Sequence, residues 1–301
     1  MASKPKISKS QYVKGLQCPN ALYRHRKDLK PPIDPATQAR FDAGNEIGQL
    51  AMAYFEDGVE VTDAYWEIEK AVASTQNFIK QGHEIIFEAT ALHPIDGGYS
   101  RIYILRKVPN SDEWDLIEVK SSTGVKDYHI DDMSFQYHVF FAAGYKIRKC
   151  LMMVIDNTYV RQGDIEPQKL FKLEDISNEV FAKQGDVEYW AAQLGYVLDR
   201  KDEPDIQIGE RCFNPFECEY RHHCWKHIPK YSVFDIYQKK KTGEIINQIG
   251  SYDIKDIPPN LFPNGAKAID VDCYQCNKEH VEKGPIREWL AGLEYPRIMK
   301  P

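Results

Sequence analysis

No stretch of the chain approaches the about 18 consecutive apolar residues that a membrane-spanning helix requires. This absence predicts a chain that does not cross a membrane. The opening residues, MASKPKISKSQ, have lysines but no apolar core behind them, so the sequence predicts no secretory leader and a cytoplasmic protein. Positive charge is not in excess: 39 Lys and Arg stand against 45 Asp and Glu, a formal net charge of -6. A protein that coats nucleic acid over its whole surface is thereby excluded, whereas a site of clustered carboxylates with a few local cations is not. Basic runs occur at Arg24-His25-Arg26-Lys27 and Lys239-Lys240-Lys241, and solvated surface is the simplest reading of each. Internal repeats and low-complexity tracts are missing too, which removes repeat architectures. What remains is an ordinary globular composition, 43% hydrophobic and 28% charged over 301 residues, enough for one large core or a core with a satellite.

The most informative stretch is Trp114-Asp115-Leu116-Ile117-Glu118-Val119-Lys120-Ser121-Ser122. In a strand, Leu116, Glu118 and Lys120 share one face, which sets a carboxylate beside an ammonium. Ser100 to Val108 is also strand-like, and Pro109-Asn110-Ser111-Asp112 between the two has turn composition. A hairpin folded about Asn110 and Ser111 places Tyr103 opposite Glu118. Asp131 to Gly144 then reads as an amphipathic helix that starts with acids, ends at Gly and carries Gln136 on an early turn, with a strand at 150–155 behind it.

Upstream, Ser8 can cap a first helix that ends before Cys18-Pro19, and Pro19 can open a second. Residues 36–55 read as a helix in which Gly44 and Gly48 share a face, 65–81 as another helix, and 83–92 as the first strand, with Glu84 and Glu88 on the face of Ile86. A long helix is predicted over 176–200, its apolar stripe serving the core. The order helix, strand, strand, strand with E-x-K, helix with Gln, strand resembles the PD-(D/E)XK nucleases of the RecB type. The phrase DLIEVKSSTGVKDYHIDDMSFQYHVF is similar to their iron-sulfur branch, which includes CRISPR-associated adaptation exonucleases and the AddB nuclease domain, and above all to bacterial members in which an exonuclease-like domain follows.

The resemblance implies an α/β restriction-endonuclease-like central mixed sheet flanked by helices. It implies a catalytic site in which Glu118, the carbonyl of Val119, Lys120 and Gln136 hold magnesium or manganese and orient water, with Arg101 and Tyr137 toward substrate. Two of the family's expected residues are missing. The strand-two Asp of R-I-D-I-L is replaced in Arg101-Ile102-Tyr103-Ile104-Leu105, and the His of the Gly-x-x-x step is replaced by Gly48. A phenol with a pKa near 10 is neutral at pH 7 and a poor ligand for a hard divalent cation. Three readings of Tyr103 stand side by side: a natural degeneration that leaves a DNA-binding shell, an introduced substitution that silences the enzyme, or replacement of the missing charge by Glu88 or Glu46.

Seven cysteines in such a chain point to metal or redox chemistry rather than to a disulfide framework. Cys212, Cys218 and Cys224 form C-x5-C-x5-C, which fits neither zinc ribbons nor bacterial ferredoxins. The resemblance supplies the fourth ligand, Cys18, and with it a four-iron cluster that joins the N- and C-terminal segments of the module. His222 and His223 are alternative ligands for a zinc reading, Cys273 and Cys276 form a lone C-x-x-C without partners, and Cys150 reads as a small buried hydrophobe. The expected organisation is a nuclease-like domain over 1–230, with a cluster lobe from 1–35 and 205–230 and a core over about 36–200, followed by an extension over 231–301. The expected activity is phosphodiester hydrolysis on single-stranded DNA ends or flaps. A catalytically degenerate nucleic-acid-binding or assembly module is the alternative, and a zinc-stabilised interaction domain is a third. A downstream exonuclease-like domain after Leu293-Glu294-Tyr295-Pro296, or a partner nuclease or helicase, would complete the assembly.

Overall fold

Ser8 begins the fold with a capping box: its hydroxyl accepts from the Gln11 amide at 3.2 Å, and the Gln11 side chain accepts from the Ser8 amide at 3.0 Å. Helix α1, Lys9–Gln17, then runs to Cys18, and Pro19 at the first helical position opens α2, Pro19–Arg26. The computed structural model describes residues 7–27, 29, 33, 35–236, 246, 248–262 and 264–293. Lys239 to Lys241 and Glu294 to Pro296 lie outside the described residues.

The chain divides into two compact units: 1–207 with 214–220, and 208–213 with 221–301. The sequence reading had put the divide at 230. In the first unit, α3 (Pro35–Ala53), β2 (Val59–Glu60), α4 (Ile68–Lys80), β3 (Ile85–Leu92), β4 (Gly98–Lys107), β5 (Trp114–Val119), α5 (Asp127–Ala142), β6 (Ile147–Ile155), α6 (Pro167–Leu170) and β7 (Phe171–Asp175) follow in order. Two helices, α7 (Ser177–Ala182) and α8 (Gln184–Asp199), come next and break at Lys183, where one continuous helix had been expected.

The strands form one mixed sheet in the order β2-β3-β4-β5-β6-β7. Both β3-β4 and β4-β5 are antiparallel, and β5-β6 is parallel, with α5 as the crossover. All of β5 is buried, as a strand flanked on both edges and covered on both faces must be. One face carries α5 and α8 over Leu116, Cys150 and Met152, with Tyr12 of α1 stacked on Phe135 at 4.6 Å. The other face carries α3 over Ile104, Ile117, Val119 and Met153.

A two-residue strand, β1 (Ile7–Ser8), pairs parallel with the start of β4, Ile7 beside Gly98 and Ser8 beside Tyr99. It takes the edge of β4 that β5 uses farther along, at residues 104–107. That placement brings the first residue of α1 over the end of β5.

One rung departs from alternation. Ile86 and Leu105 face the α5 layer and Phe87 and Ile104 the α3 layer, yet Ala89 and Ile102 face the α5 layer again. The phase resets at Glu88 and Tyr103, and Glu88 has φ 55°, a left-handed conformation unusual for a residue with a side chain. The shared face expected for Ile86 and Glu88 therefore does not follow from simple alternation.

The second unit has a small core of Val233, Ile246, Ile254, Ile257 and Val271, with a helix at Ala266–Cys276. Among the described residues no helix is long and apolar enough to cross a membrane.

Candidate active site

Glu118 is the penultimate residue of β5, and its side chain is 4% exposed. Its neighbours Ile117 and Val119 face α3, so alternation turns Glu118 toward α5 and α1. Four hydrogen bonds converge on it. Lys120 donates to Oε1 at 2.9 Å, Gln136 of α5 donates to Oε2 at 3.0 Å, and Lys9 of α1 donates to both oxygens at 2.9 Å. Burial alone would raise the Glu118 pKa, but Lys120 and Lys9 outweigh it and hold the carboxyl well below the usual range. The carboxylate is anionic, and its lone pairs are met by protein donors.

Lys120 follows the strand and also donates to Asp132 of α5 at 2.6 Å. Burial would lower its pKa; the two carboxylates beside it raise it instead, so it is an ammonium at any working pH. Gln136 is held from behind, since the Ser100 hydroxyl donates to its Oε1 at 3.0 Å, which turns the amide nitrogen toward Glu118. The structure thus brings Glu118, Lys120 and Gln136 together. It adds Lys9, Ser100 and Asp132, which the sequence reading did not single out as site residues. Lys9 stands 109 positions from Glu118 in the chain, and the β1 pairing together with the packing of α1 on α5 makes them neighbours.

The hairpin register pairs Ile104 with Ile117, so Tyr103 stands across from Glu118. The side chains part, however: Tyr103 packs into the α3 layer with Ile104 and Ile117. A Cβ on Gly48 would stand 1.5 Å from the Tyr103 hydroxyl and 2.6 Å from Cζ, so the ring occupies space that only a glycine leaves. Burial, then Glu88 and Glu118, push the phenol up to about 12. It is neutral and cannot stand in for the expected aspartate.

Glu88 is a further acid near the site, its side chain half-buried. Burial is the main cause that pushes it up to about 7, with Lys9 opposing and Glu118 adding to the rise. Its nearest cation is Arg101, 4.0 Å away. Glu46 lies exposed on α3. Arg101 donates through Nε to Thr90 at 3.3 Å and through Nη2 to the Asp63 carbonyl at 2.9 Å, which fixes its plane. Tyr137 stacks on Phe141 at 5.5 Å and packs on Phe181 of α7 at 4.9 Å. That places it among aromatic neighbours on α5 and α7.

For a divalent cation, Glu118 and Glu88 are the carboxylates at hand, with the Val119 carbonyl between Glu118 and Lys120. A cation on Glu118 would have to displace Lys9, which now bonds both oxygens. A separate set, His93, Asp96 and His138, brings its donor atoms within 4.8 Å of one another. His138 Nε2 is 2.8 Å from Asp96, and the two imidazoles stack at 4.7 Å. This set also closes the β3-β4 turn: His93 Nδ1 accepts from the amides of Ile95 and Asp96, and Asp96 from that of Gly98. No local spacing could have exposed it, since His138 comes from another element.

Of the cysteines, Cys18 and Cys218 fall in the first unit, Cys212 and Cys224 in the second. In the first unit Gln17 donates to the Phe216 carbonyl at 2.8 Å and Lys14 pairs with Glu219, so the segment bearing Cys218 is tied to α1, which Cys18 terminates. None of the seven cysteines is in a disulfide. Cys150 is fully buried in β6, where burial raises its pKa. Cys273 and Cys276 lie on the helix of the second unit, Cys276 exposed and donating to Asp272 at 3.3 Å. His222 is exposed on a short helix, Arg221–Cys224.

No family model matches the chain, and no curated protein matches it either. Among solved structures, an alkaline exonuclease from Laribacter hongkongensis, alone and in complex with dAMP, is similar to it with a TM-score of 0.37 and 15% identity, over 64% of this chain and 90% of that one.

Proposed function

We propose that this chain is a nuclease-like module of the PD-(D/E)XK type that acts on single-stranded DNA ends or flaps. The observation that carries the reading is the convergence of Glu118, Lys120 and Gln136, from β5 and the helix after it, on one buried carboxylate. In this reading Glu118, Glu88 and the Val119 carbonyl hold magnesium or manganese. The bound cation supplies charge to the phosphate and lowers the pKa of water. Lys120, kept protonated by Asp132, donates to the water or to the developing phosphorane charge. Gln136, fixed by Ser100, fixes Glu118 in turn. Without the aspartate at position 103, turnover is slow.

A specific pair of contacts favours the second reading, a nucleic-acid-binding module without turnover: Lys9 on both Glu118 oxygens and the Tyr103 ring filled against Gly48. One experiment separates the two. On end-labelled single-stranded DNA with manganese, wild type should show slow cleavage and Lys120→Ala should abolish it. Binding without cleavage in wild type would leave the second reading.

The same proposal assigns Cys18, Cys212, Cys218 and Cys224 to a four-iron cluster. Four thiolates and the tie between the Cys18 and Cys218 segments support it. The cluster braces the fold in this reading and takes no part in hydrolysis. A downstream exonuclease-like domain or a helicase partner fits a module that receives DNA ends.

A further inference from the structure

Beside the Glu118 site a cleft of about 220 Å³ is lined by Ser8, Lys9, Tyr65, Thr90, Tyr99 and Arg101. Its lining combines two cations, two phenols and the three hydroxyls of Ser8, Ser10 and Thr90 with the apolar Ile68. At its rim Tyr65 is 74% exposed and its neighbour Trp66 68% exposed, their rings edge to face at 4.8 Å. Together they present two adjacent ring faces at the mouth of the cleft. Aromatic faces joined to a lysine and an oriented arginine are the chemistry that recognises a nucleotide: rings stack on the base, cations meet the phosphate.

We propose that this cleft seats the terminal nucleotide of a single DNA strand, and that its phosphate draws Lys9 from Glu118, so that nucleotide and divalent cation bind cooperatively. The proposal rests on the function inferred above and deepens it. Lys9 lines the cleft and at the same time bonds both oxygens of Glu118. Its ammonium can serve only one anion fully at a time. When it turns to phosphate, Glu118 loses a competing cation and gains two open lone pairs for a metal. Linkage is reciprocal, so the metal strengthens nucleotide binding by the same factor. A strand end thereby licenses its own metal, and the site without DNA stays closed to ions.

The test uses the full chain with a short fluorescein-labelled oligothymidylate at low salt, read by anisotropy, and with manganese read by calorimetry. In wild type the oligonucleotide should tighten manganese binding several-fold, and manganese should tighten the oligonucleotide equally. Tyr65→Ala with Trp66→Ala, both on the surface, should weaken oligonucleotide binding roughly tenfold while manganese binding without DNA stays unchanged. Lys9→Met should tighten manganese binding without DNA and remove the coupling. Unchanged oligonucleotide affinity in the aromatic variant, or coupling that survives in Lys9→Met, overturns the proposal. Coupling with no cleavage under any condition sinks the nuclease reading and leaves the cleft standing. Cleavage without coupling does the reverse.

Discussion

At the scale of single residues, the two departures from the expected pattern, Tyr103 and Gly48, prove to be one feature. The ring fills the space that the missing Cβ leaves. Sequence alone could find each departure but not join them, because the contact crosses from β4 to α3. Glu88 carries a prediction of its own. Its carboxyl sits at about 7 rather than 4.5, so the fold favours the neutral acid. Its contribution to stability is whole below about pH 4.5, is lost as the pH rises to about 7, and above that the ionised group is a constant cost. Glu88→Gln should therefore gain on wild type across that window and then level off, by at most about 3 kcal/mol, in urea unfolding followed against pH. A difference that stays flat from pH 4 to 8 would show that Glu88 ionises as an ordinary surface acid. Glu118 runs the opposite way: held low by Lys120 and Lys9, its contribution is present above the usual carboxylate range and is lost in acid.

At the scale of elements, much of the sheet was legible. Alternation and turn composition gave β4, β5 and their register, and the hairpin about Asn110 sets Tyr103 across from Glu118. The helix after the E-x-K strand begins at Asp127, a turn earlier than its acids announced, because Lys126 and His129 already form its opening turn. What could not be read was the direction of Tyr103, since period-two reasoning assumes an unbroken strand, and the Glu88 rung breaks it. Nor could β1, whose two residues carry no pattern. The packing of α3 on the sheet supplies the next prediction. Gly48→Ala should cost about 1–3 kcal/mol, because the Tyr103 ring must leave its place. Adding Tyr103→Asp should relieve most of that cost, a non-additivity measurable in a double-mutant cycle by denaturant unfolding. Strictly additive losses would mean that some other contact fixes Gly48.

At the scale of the whole molecule, the chain crosses between its two compact units more than once around residues 208–221. Within 208–224, Cys218 belongs to the first unit and Cys212 and Cys224 to the second. A ligand set drawn from positions so far apart has no local signal, and only a resemblance could propose it. Anaerobically purified protein should be brown and contain iron, and Cys18→Ser should bleach it and lower its melting temperature; a colourless wild type with bound zinc would point to the interaction-domain reading instead. The placement of β1 has a practical consequence for the entire chain. The parallel pairing of β1 spans only two residues, and the lysine that guards Glu118 is the very next residue. Anything fused ahead of Ile7 is therefore mechanically wired to the buried carboxylate. A tether that tugs there would peel the strand and lift the guard with it, so tags and labels belong at the opposite end of the polypeptide.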